Sequence, residues 1–521
     1  MLFQRVKPLD KILETAEKKA LTRQLGAFQL TLLGIGAIIG TGIFVLTAEA
    51  GQKAGPAMML AFVIAAVVCA LAALAYSELA SMVPVAGSAY TYTYAVMGEA
   101  IAWTVGWALV LEYAVAAGAV AVGWSGYMNG LLASAGIELP MALKTGPMDG
   151  GAFNLLAFMI ALVITGLLVI GTSKSAKVNA VLVLIKVVAL AAFIVIAVPA
   201  AKDTNFQPFF PTGWGSPLGG IGVLGAAASI FFAYVGFDAV STAAEETKNP
   251  QRNMPIGLIG SLAICTIFYL LVAAGVIGAP GLSSQPVTGA AGAVLDPGSR
   301  ELAAQCATRA AEGFKDVVCS KEALAFTLRE IGWPQIGNLL GLAAGLALPS
   351  VILMMMFGQT RIFFVMSRDG LLPAAFSKIH PKFNTPHVIT IITGIAVALF
   401  AAFFPVGQLA NISNSGTLFA FAAVSIAVMV IRKTEPNRHR PFRTPLVWIT
   451  APIAIGGCIY LFASLDHKSI ILFLIWAAIG LLVYFGYSRS RSHVGLGHVE
   501  VHEEDPDAPP PPVPPAPSFN G

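Results

Sequence analysis

Long apolar stretches without Asp, Glu, Lys or Arg recur along the whole chain, separated by short polar segments. Nine of them are about 20 residues or longer, which is the length of an α-helix that crosses a bilayer. The stretch 388–431 is long enough for two helices with a break at 404–407, and two further stretches hold one charge each, Glu112 and Lys186. The pattern predicts twelve transmembrane helices, which start near residues 28, 55, 100, 152, 177, 219, 253, 336, 388, 409, 445 and 469.

The composition agrees with an all-α membrane protein. Hydrophobic residues make up 57% of the 521 residues and charged residues 11%, against about 25% charged in a typical soluble domain. A soluble protein of this composition would expose much apolar surface to water, so a soluble globular enzyme is excluded. The net charge of +4 gives no reason to expect nucleic acid, and the five cysteines show no metal-binding spacing.

The positive charges set the expected orientation, because cytoplasmic segments of membrane proteins are enriched in Lys and Arg. With the N-terminus inside, the inside segments hold 21 of the 31 Lys and Arg residues and the outside segments hold 9. Both termini are therefore expected in the cytoplasm. The first 27 residues lack the apolar core of a cleavable signal peptide, and residues 8–20 are typical of a short amphipathic helix on the membrane surface.

The chain divides into a few expected parts. These are a cytoplasmic segment 1–27, helices 1–5 in 28–200, helices 6–10 in 219–432, helices 11 and 12 in 445–488, and a disordered proline-rich tail 489–521. An extracellular loop, 281–335, interrupts the second group of helices. It carries Cys306 and Cys319, which either form a disulfide in an oxidising compartment or remain two free thiols.

Two of the predicted helices contain residues that favour an interruption. The first reads LGIGAIIGTGIF over 33–44, and the sixth reads SIFFAYVGFD over 229–238. The glycines either let neighbouring helices pack closely or unwind the first helix at Gly40, Thr41 and Gly42, which would free N–H groups to bind a carboxylate. Interrupted helices at corresponding places in two five-helix halves are typical of inverted-repeat transporters, and two extra helices complete the twelve.

Three motifs carry a resemblance to a known family: GIGAIIGTGIF in the first helix, AYSELASMVPVAGSAYTY after the second, and FFAYVGFDAVSTAAEETKNPQRNMPIG through the sixth. They resemble the amino acid–polyamine–organocation (APC) superfamily and, within it, the bacterial cationic amino acid transporter family. The resemblance covers roughly residues 5–435. It implies a leucine-transporter-type fold with a 5+5 inverted repeat plus two C-terminal helices, alternating access and amino acid uptake.

The resemblance also implies a substrate site at the two interruptions. Backbone N–H groups and the Thr41 hydroxyl would hold the substrate carboxylate, and backbone carbonyls would accept the α-ammonium, since half-helix ends of opposite polarity suit the two charges of a zwitterion. Phe231 or Tyr234 would form an aromatic gate, or would simply pack within the helix. The implied residues are Ile39, Gly40, Thr41 and Gly42 for the carboxylate, and Ile35, Ala37, Phe231, Phe232 and Ala233 for the ammonium.

Lys186 lies about ten residues inside the predicted fifth helix, so roughly 15 Å deep in the bilayer. Its stem cannot bring the amine fully to water from there; it is either paired with a carboxylate for structural reasons or functional. The motif SAKVNAVLVLIK resembles that of family members in which a lysine stands where sodium-dependent relatives hold a cation. The resemblance implies sodium-independent, proton-coupled transport with Lys186 as the protonatable group, since burial disfavours the charged amine.

The remaining charges near the spans have two interpretations each. Glu112, in the third helix, is a candidate substrate-binding residue or a hydrogen-bonded structural carboxylate. A second group is expected either to form a cytoplasmic gate or to be simply solvated. Its members are the acidic residues Glu78, Asp238, Glu245 and Glu246, with Arg361 and Arg368 as expected partners.

Together these features predict secondary active transport of L-amino acids across a bacterial plasma membrane, with proton symport as the expected coupling. Small neutral amino acids such as alanine are favoured, because no acidic residue is placed securely in the side-chain pocket. The alternatives are an exchanger or facilitator of arginine and lysine, and a non-transporting amino acid receptor, although neither terminus has room for a signalling domain.

The expected partners are an L-amino acid, a proton and membrane lipids. No cofactor, metal, nucleic acid or enzymatic activity is expected. All seven histidines lie in loops or the tail, and GxSxG and phosphate-binding glycine motifs are absent from the sequence.

Overall fold

The computed structural model describes residues 5–6, 25–83, 88–171, 176–215, 217–218, 220–238, 240–241, 247–383 and 385–496. Over these residues the chain is helical, with isolated backbone bridges and no extended strand. The helices are α1 (Ala27–Ile38), α2 (Thr41–Phe44), α3 (Leu46–Ala54), α4 (Met58–Met82), α5 (Ser88–Met97), α6 (Glu99–Ser134), α7 (Leu155–Ile170), α8 (Ala176–Ala197), α9 (Gly222–Ile230), α10 (Pro250–Gly278), α11 (Arg300–Ala311), α12 (Ala323–Glu330), α13 (Pro334–Arg368), α14 (His387–Phe403), α15 (Val406–Thr434), α16 (Val447–Ala463) and α17 (His467–Val483).

The long apolar helices begin within three residues of the predicted starts. By length and composition, seven helical stretches of the described chain are long and apolar enough to cross a membrane, and five further apolar helices are shorter. The shorter ones are Ala27–Ile38, Leu155–Ile170, Gly222–Tyr234, His387–Phe403 and Val447–Ala463. The count of twelve spans and the 5+5 repeat stay predictions.

Proline and capping residues explain several of the helix ends. Pro250 and Pro334 occupy the first positions of α10 and α13, where the missing N–H of proline costs no helical hydrogen bond. The Asn154 side chain accepts a hydrogen bond from the Ala157 amide at the start of α7, and Asp466 caps α17 in the same way. Proline and capping residues in the local sequence therefore set where these four helices begin.

The helix α6 lies at the centre of the bundle and packs along α13 and α15. The interrupted first span, α1 to α3, contacts α10 on its α1 side and α9 on its α3 side. By contrast, α17 is mostly exposed and presents apolar side chains such as Leu474 and Leu482 to its surroundings, as expected of a helix that faces lipid. This arrangement encloses the breaks in the first and sixth spans.

The long loop between α10 and α13 folds as a small unit over the α3 end of the bundle. The sulfurs of Cys306 and Cys319 are joined in a disulfide, with their Cα atoms 5.6 Å apart. A separate small core surrounds the disulfide, and the Gln52 side chain of α3 ties it to the bundle by donating to the carbonyls of Val287 (2.8 Å) and Leu295 (2.9 Å). The amphipathic helix expected over 8–20, Glu245 and Glu246, and most of the tail 489–521 lie outside the described residues.

Candidate substrate site

The first span is interrupted between α1 and α2. Ile39 (φ −71°, ψ 98°) and Gly40 (φ −148°, ψ −151°) are extended, and the helix resumes at Thr41. The break therefore lies one residue earlier than the expected Gly40-Thr41-Gly42 segment, because Thr41 and Gly42 already belong to α2. Gly42 packs directly on the backbone of Ala233 in the sixth span, and the space between them leaves no room for a Cβ atom.

The sixth span is interrupted just after a 3₁₀ turn, Phe231–Tyr234. Val235 is extended (φ −60°, ψ 135°), and Gly236 has φ +115°, a conformation that a residue with a side chain rarely adopts. A Cβ atom on Gly236 would lie 2.8 Å from the carbonyl oxygen of Ala37. The glycine at this break therefore allows the two interrupted spans to approach backbone to backbone.

A small closed cavity lies between the two breaks. Its volume is about 10 Å³, which is room for about one water molecule. The structure is thus a closed conformation, and an amino acid could enter only after wall side chains move. The wall is formed by Ala37, Ile38, Gly40, Thr41, Gly42, Val120, Phe232, Val235, Val351 and Met355.

Thr41 supplies the polar side chain of this wall. Its hydroxyl is fully buried and has no hydrogen-bond partner among the described residues. It faces Gly123 of α6, where a Cβ atom would lie 3.0 Å from the hydroxyl oxygen. An unpaired buried hydroxyl costs free energy unless a ligand satisfies it, so this group is available to a bound polar molecule.

Tyr269 of α10 bridges the two breaks. Its hydroxyl oxygen lies 2.9 Å from the Ile38 carbonyl oxygen and 2.9 Å from the Ala233 carbonyl oxygen. A hydroxyl donates one proton, so the bond is shared between the carbonyls or alternates between them. Sequence analysis missed this residue, since a tyrosine within an apolar span carries no signal of its own.

Of the other residues implied for the substrate, two line the cavity and the rest lie outside its wall. Ala37 and Phe232 line it, whereas Ile35, Ile39, Phe231, Ala233 and Tyr234 do not. The Tyr234 hydroxyl donates to the Phe62 carbonyl (3.1 Å), and the Phe231 ring packs on Phe421 with ring centroids 5.7 Å apart. In this conformation both aromatic side chains are engaged in packing.

Lys186 of α8 is buried, with 1% of its surface exposed. Its ammonium group donates to the carbonyl oxygen of Gly36 at 3.0 Å, three residues before the break at Ile39. No carboxylate lies within ion-pair distance of it in the part of the chain that the structure describes. The pairing considered as a structural explanation is therefore absent among these residues, and Lys186 is joined instead to the end of α1.

Glu112 of α6 is fully buried, and neither carboxylate oxygen has a hydrogen-bond partner among the described residues. It does not line the cavity. Its neighbour Tyr113 donates from its hydroxyl to the Asp238 carboxylate at 2.9 Å. Asp238 also accepts from the Gly236 amide at 3.2 Å, which ties it to the break in the sixth span.

Glu78 is paired with cations other than Arg361 and Arg368, the partners expected for the acidic group. Glu78 of α4 is buried and accepts two hydrogen bonds from Arg432 of α15, at 2.6 and 2.8 Å, and one from the Thr444 amide at 2.8 Å. Arg440 lies 3.3 Å away as a second cation. Arg361 stacks on the Phe357 ring, 4.0 Å from the ring centre.

A chain of polar side chains crosses the α3 end of the bundle; we call it the α3–α9 network. Lys53 pairs with Glu49 of the same helix (3.1 Å) and donates to the Ser229 hydroxyl of α9 at 2.5 Å. Ser229 donates to the Asn411 side-chain oxygen of α15 (2.7 Å), and Asn411 donates to Asp466 before α17 (2.7 Å). The network joins the second half of the first span to the first half of the sixth.

The family assignment follows from comparison with known proteins. The amino acid permease family model matches residues 29–489. The chain belongs to this family. This family is part of the APC superfamily, and its name and the names of the relatives indicate a transporter and not an enzyme.

Similar proteins come from bacteria, plants and mammals. The permease is 43% identical over 498 residues to the branched-chain amino acid permease BcaP of Bacillus subtilis (strain 168). The aligned region covers 94% of this chain and 98% of that protein. The permease is 41% identical over 491 residues to the methylthioribose transporter of the same organism, with the same two coverages. It is 36% identical over 424 residues to the vacuolar cationic amino acid transporter 4 of Arabidopsis thaliana, which covers 80% of this chain and 64% of that protein.

Several residues that shape the permease were not singled out by sequence analysis. Tyr269, Arg432 and the α3–α9 network are the main examples. Lys53 was counted only as a loop charge, although 3% of its surface is exposed. Glu49 and Lys53 are one helical turn apart at the edge of an apolar stretch. Two charged residues of opposite sign at this spacing are the sequence signal that would have pointed to them.

Proposed function

We propose that this permease is a secondary active transporter that moves L-amino acids across the plasma membrane by alternating access, driven by proton symport. The observation that carries the proposal is the closed cavity between two interrupted helices, with the unpaired Thr41 hydroxyl in its wall. Interrupted helices that meet at a cavity form the substrate sites of many secondary transporters. A small cavity whose wall residues are all buried fits the closed state that alternating access passes through between its two open states.

The substrate would lie across the two breaks. Its carboxylate would be held by the Thr41 hydroxyl and by the first amides of α2, which have no acceptor within that helix. Its α-ammonium would approach the carbonyls at the end of α1 and in the 3₁₀ turn of the sixth span. Among the residues implied for the ammonium, Ala37 and Phe232 line the cavity and are the first candidates.

The cavity wall supports a neutral side chain. The residues contributed by the surrounding helices, Val120, Val351 and Met355, are apolar, as is Phe232. A cationic side chain would need a carboxylate, and Glu112 lies outside this wall. We therefore favour small neutral amino acids such as alanine over arginine and lysine. The relatives named as branched-chain amino acid permeases agree with a neutral substrate, and those named as cationic amino acid transporters supply the alternative.

Proton coupling would act through Lys186. Its amine donates to a carbonyl of α1 close to the break, so adding or removing its charge changes an interaction that positions half of the substrate site. A buried amine without a carboxylate partner is costly to keep charged. Substrate binding and protonation would therefore favour the same conformation. No sodium ion is needed in this scheme, because the amine supplies the positive charge.

We further propose twelve transmembrane helices with both termini in the cytoplasm of a bacterial cell. The uneven distribution of Lys and Arg supports this orientation. The face that carries α5, the start of α10, and Glu78 with its partners Arg432 and Arg440 would then be cytoplasmic. The face that carries the disulfide would be extracellular, which agrees with the oxidising conditions that a stable disulfide needs.

The test is uptake of a panel of labelled amino acids into proteoliposomes without sodium, with and without an inward proton gradient. Accumulation of a neutral amino acid that depends on the gradient is expected. The Lys186→Ala variant should lose gradient-driven accumulation, whereas Lys202→Ala, which removes a lysine outside the spans, should keep it. Exchange that ignores the gradient would contradict proton symport, and full gradient-driven uptake by Lys186→Ala would contradict the role of that residue.

The receptor and the cationic exchanger predict different results in the same assay. Binding of an amino acid without uptake of any member of the panel would favour a receptor. Accumulation of arginine or lysine in exchange for internal substrate would favour the cationic exchanger. Inhibition of labelled uptake by unlabelled alanine, valine and arginine then ranks the substrates directly.

A further inference from the structure

An open groove of about 730 Å³ lies at the N-terminal end of α10, away from the substrate cavity. One wall is α10 and the other is the loop between α15 and α16, which contributes His439, Pro441 and Phe442. By the proposed orientation this end of α10 meets the cytoplasmic surface of the membrane. The groove therefore lies at the level where lipid headgroups meet acyl chains.

The α10 wall changes from polar to apolar along one face of the helix. Arg252, Ile256, Ile259 and Gly260 line the groove, and their spacing of four, seven and eight residues places them on a single face. Arg252 stands at the end of the helix, and the apolar residues follow toward the bilayer interior. The same helix continues with exposed apolar side chains, Ile267 at 59% and Leu271 at 38%.

The polar end of the groove is positively charged. Arg252 and His439 have no side-chain hydrogen bond or ion pair with any described residue. The acidic residue of the adjoining loop, Glu435, is already bonded to Arg438 at 2.7 Å. Arg443 follows directly on Phe442 and is exposed, so it adds a further positive charge beside the groove. Two unpaired donors with this charge match a phosphate group.

The groove floor is shaped by a missing side chain. A Cβ atom at Gly260 would lie 3.5 Å from the Thr31 hydroxyl oxygen, an ordinary contact, so alanine fits there. A larger side chain would meet Thr31 of α1 or turn into the groove, which Gly260 lines. Gly260 therefore adds no side chain to the groove wall that Ile256, Ile259 and the loop residues Pro441 and Phe442 form.

From this juxtaposition we infer that the groove binds one anionic glycerophospholipid of the inner leaflet. The phosphate of the lipid is held by Arg252 and His439, and one acyl chain lies along Ile256 and Ile259 over Gly260. A free anion would use the polar end alone and leave the apolar half unexplained. A zwitterionic lipid carries its own cation, which the basic end of the groove disfavours. Basic pockets between helices on the cytoplasmic side are suited to anionic headgroups.

The experiment measures lipid binding to the whole detergent-purified permease by native mass spectrometry. The probes are a phosphatidylglycerol, a phosphatidylcholine with the same acyl chains, and inorganic phosphate as competitor. Phosphatidylglycerol should bind more tightly than phosphatidylcholine, and phosphate at millimolar concentration should not displace it. Binding is read without transport, so a failure here leaves the proposed transport function untouched, and a failure of transport leaves this site untouched.

Variants separate the two ends of the groove. Arg252→Ala should weaken phosphatidylglycerol binding about fivefold, the effect of one basic residue at an anionic surface, and His439→Ala should weaken it in the same direction. Lys433→Ala removes a charge from the last turn of α15, next to this loop, but Lys433 does not line the groove, so the variant should have no such effect. Gly260→Leu should weaken both lipids, whereas Gly260→Ala should weaken neither.

Three results would overturn the inference. The first is equal binding of the two lipids by the unmodified protein. The second is an equal loss in Arg252→Ala and Lys433→Ala, which would mean a diffuse charge effect. The third is displacement of phosphatidylglycerol by inorganic phosphate, which would mean a plain anion site.

Discussion

The hydroxyl of Tyr269 joins the two interrupted helices, so its removal should favour conformations in which the cavity is open. Tyr269→Phe keeps the ring, which packs on Tyr234 with centroids 5.4 Å apart, and deletes the oxygen that lies 2.9 Å from both the Ile38 and Ala233 carbonyls. A buried hydrogen bond of this kind contributes about 1 kcal/mol net. The closed conformation should therefore lose about fivefold in population relative to open ones.

The Tyr234→Phe variant is a matched control. It removes the same group from a neighbouring ring, but the Tyr234 hydroxyl bonds to Phe62 of α4 and does not join the two breaks. Both hydroxyls are buried and each donates to a backbone carbonyl. The two variants therefore differ in which elements they disconnect and not in the chemistry that is lost.

Opening can be measured through a cysteine at Met355, a residue of the cavity wall. The rate at which a soluble maleimide alkylates Met355→Cys in proteoliposomes reports the open population. The native free cysteines Cys69, Cys265 and Cys458 are all buried, and protein without Met355→Cys measures their contribution. We expect Tyr269→Phe to raise the rate about fivefold and Tyr234→Phe to leave it nearly unchanged. Equal rates in the two variants would refute the reasoning.

Three further predictions concern other parts of the permease. Thr41→Ala should raise the KM for uptake about fivefold or more because it deletes the unpaired hydroxyl of the cavity wall, and Thr41→Ser should restore it. Lys53→Met leaves the Glu49 carboxylate buried without its cation and should lower the free energy of unfolding by about 3 kcal/mol, measured by thermal melting. Burial raises the pKa of Glu322, in the loop beside α12, to about 7. The loop should therefore lose stability as pH rises from the unfolded value of 4.5 toward 7, and limited proteolysis of Glu322→Gln should show a weaker pH dependence.

Each of these has an outcome that would contradict it. An unchanged KM in Thr41→Ala would remove the hydroxyl from the substrate site. If adding Glu49→Gln to Lys53→Met restored none of the stability, the unpaired carboxylate would not be the cause of the loss. The sign for Glu322 follows because a carboxyl group with a raised pKa favours the folded state when protonated. Faster proteolysis of the unmodified loop at pH 5 than at pH 8 would contradict it.

The sequence predicted the helices well because their signal is local. Stretches of about 20 apolar residues have one stable form in a bilayer, and charged residues, prolines and glycines mark their ends. Gly40 and Gly236 marked the two breaks for the same reason, since only backbone conformation within a few residues is involved. The position of Lys186 within an apolar helix also followed from counting along the chain, whereas its depth in the bilayer stays a prediction.

The partners of buried polar groups could not be predicted in this way. Glu78 and Arg432 are 354 positions apart in the chain, and Tyr269 and Ile38 are 231 apart. Which residues meet depends on how each helix is rotated about its axis and shifted along it. A helix that is apolar on every side gives no sequence signal for that rotation.

Local sequence patterns are enough to show that this protein is a bundle of apolar helices, where two of those helices break, and which family it belongs to. The tertiary structure decided that Gly42 and Gly236 bring the breaks together, that Tyr269 bridges them, and that Lys186 bonds to α1. The physical reason is that bilayer insertion depends on the hydrophobicity of each segment alone. A polar group inside the bundle, by contrast, must be satisfied by whichever distant helix packs against it.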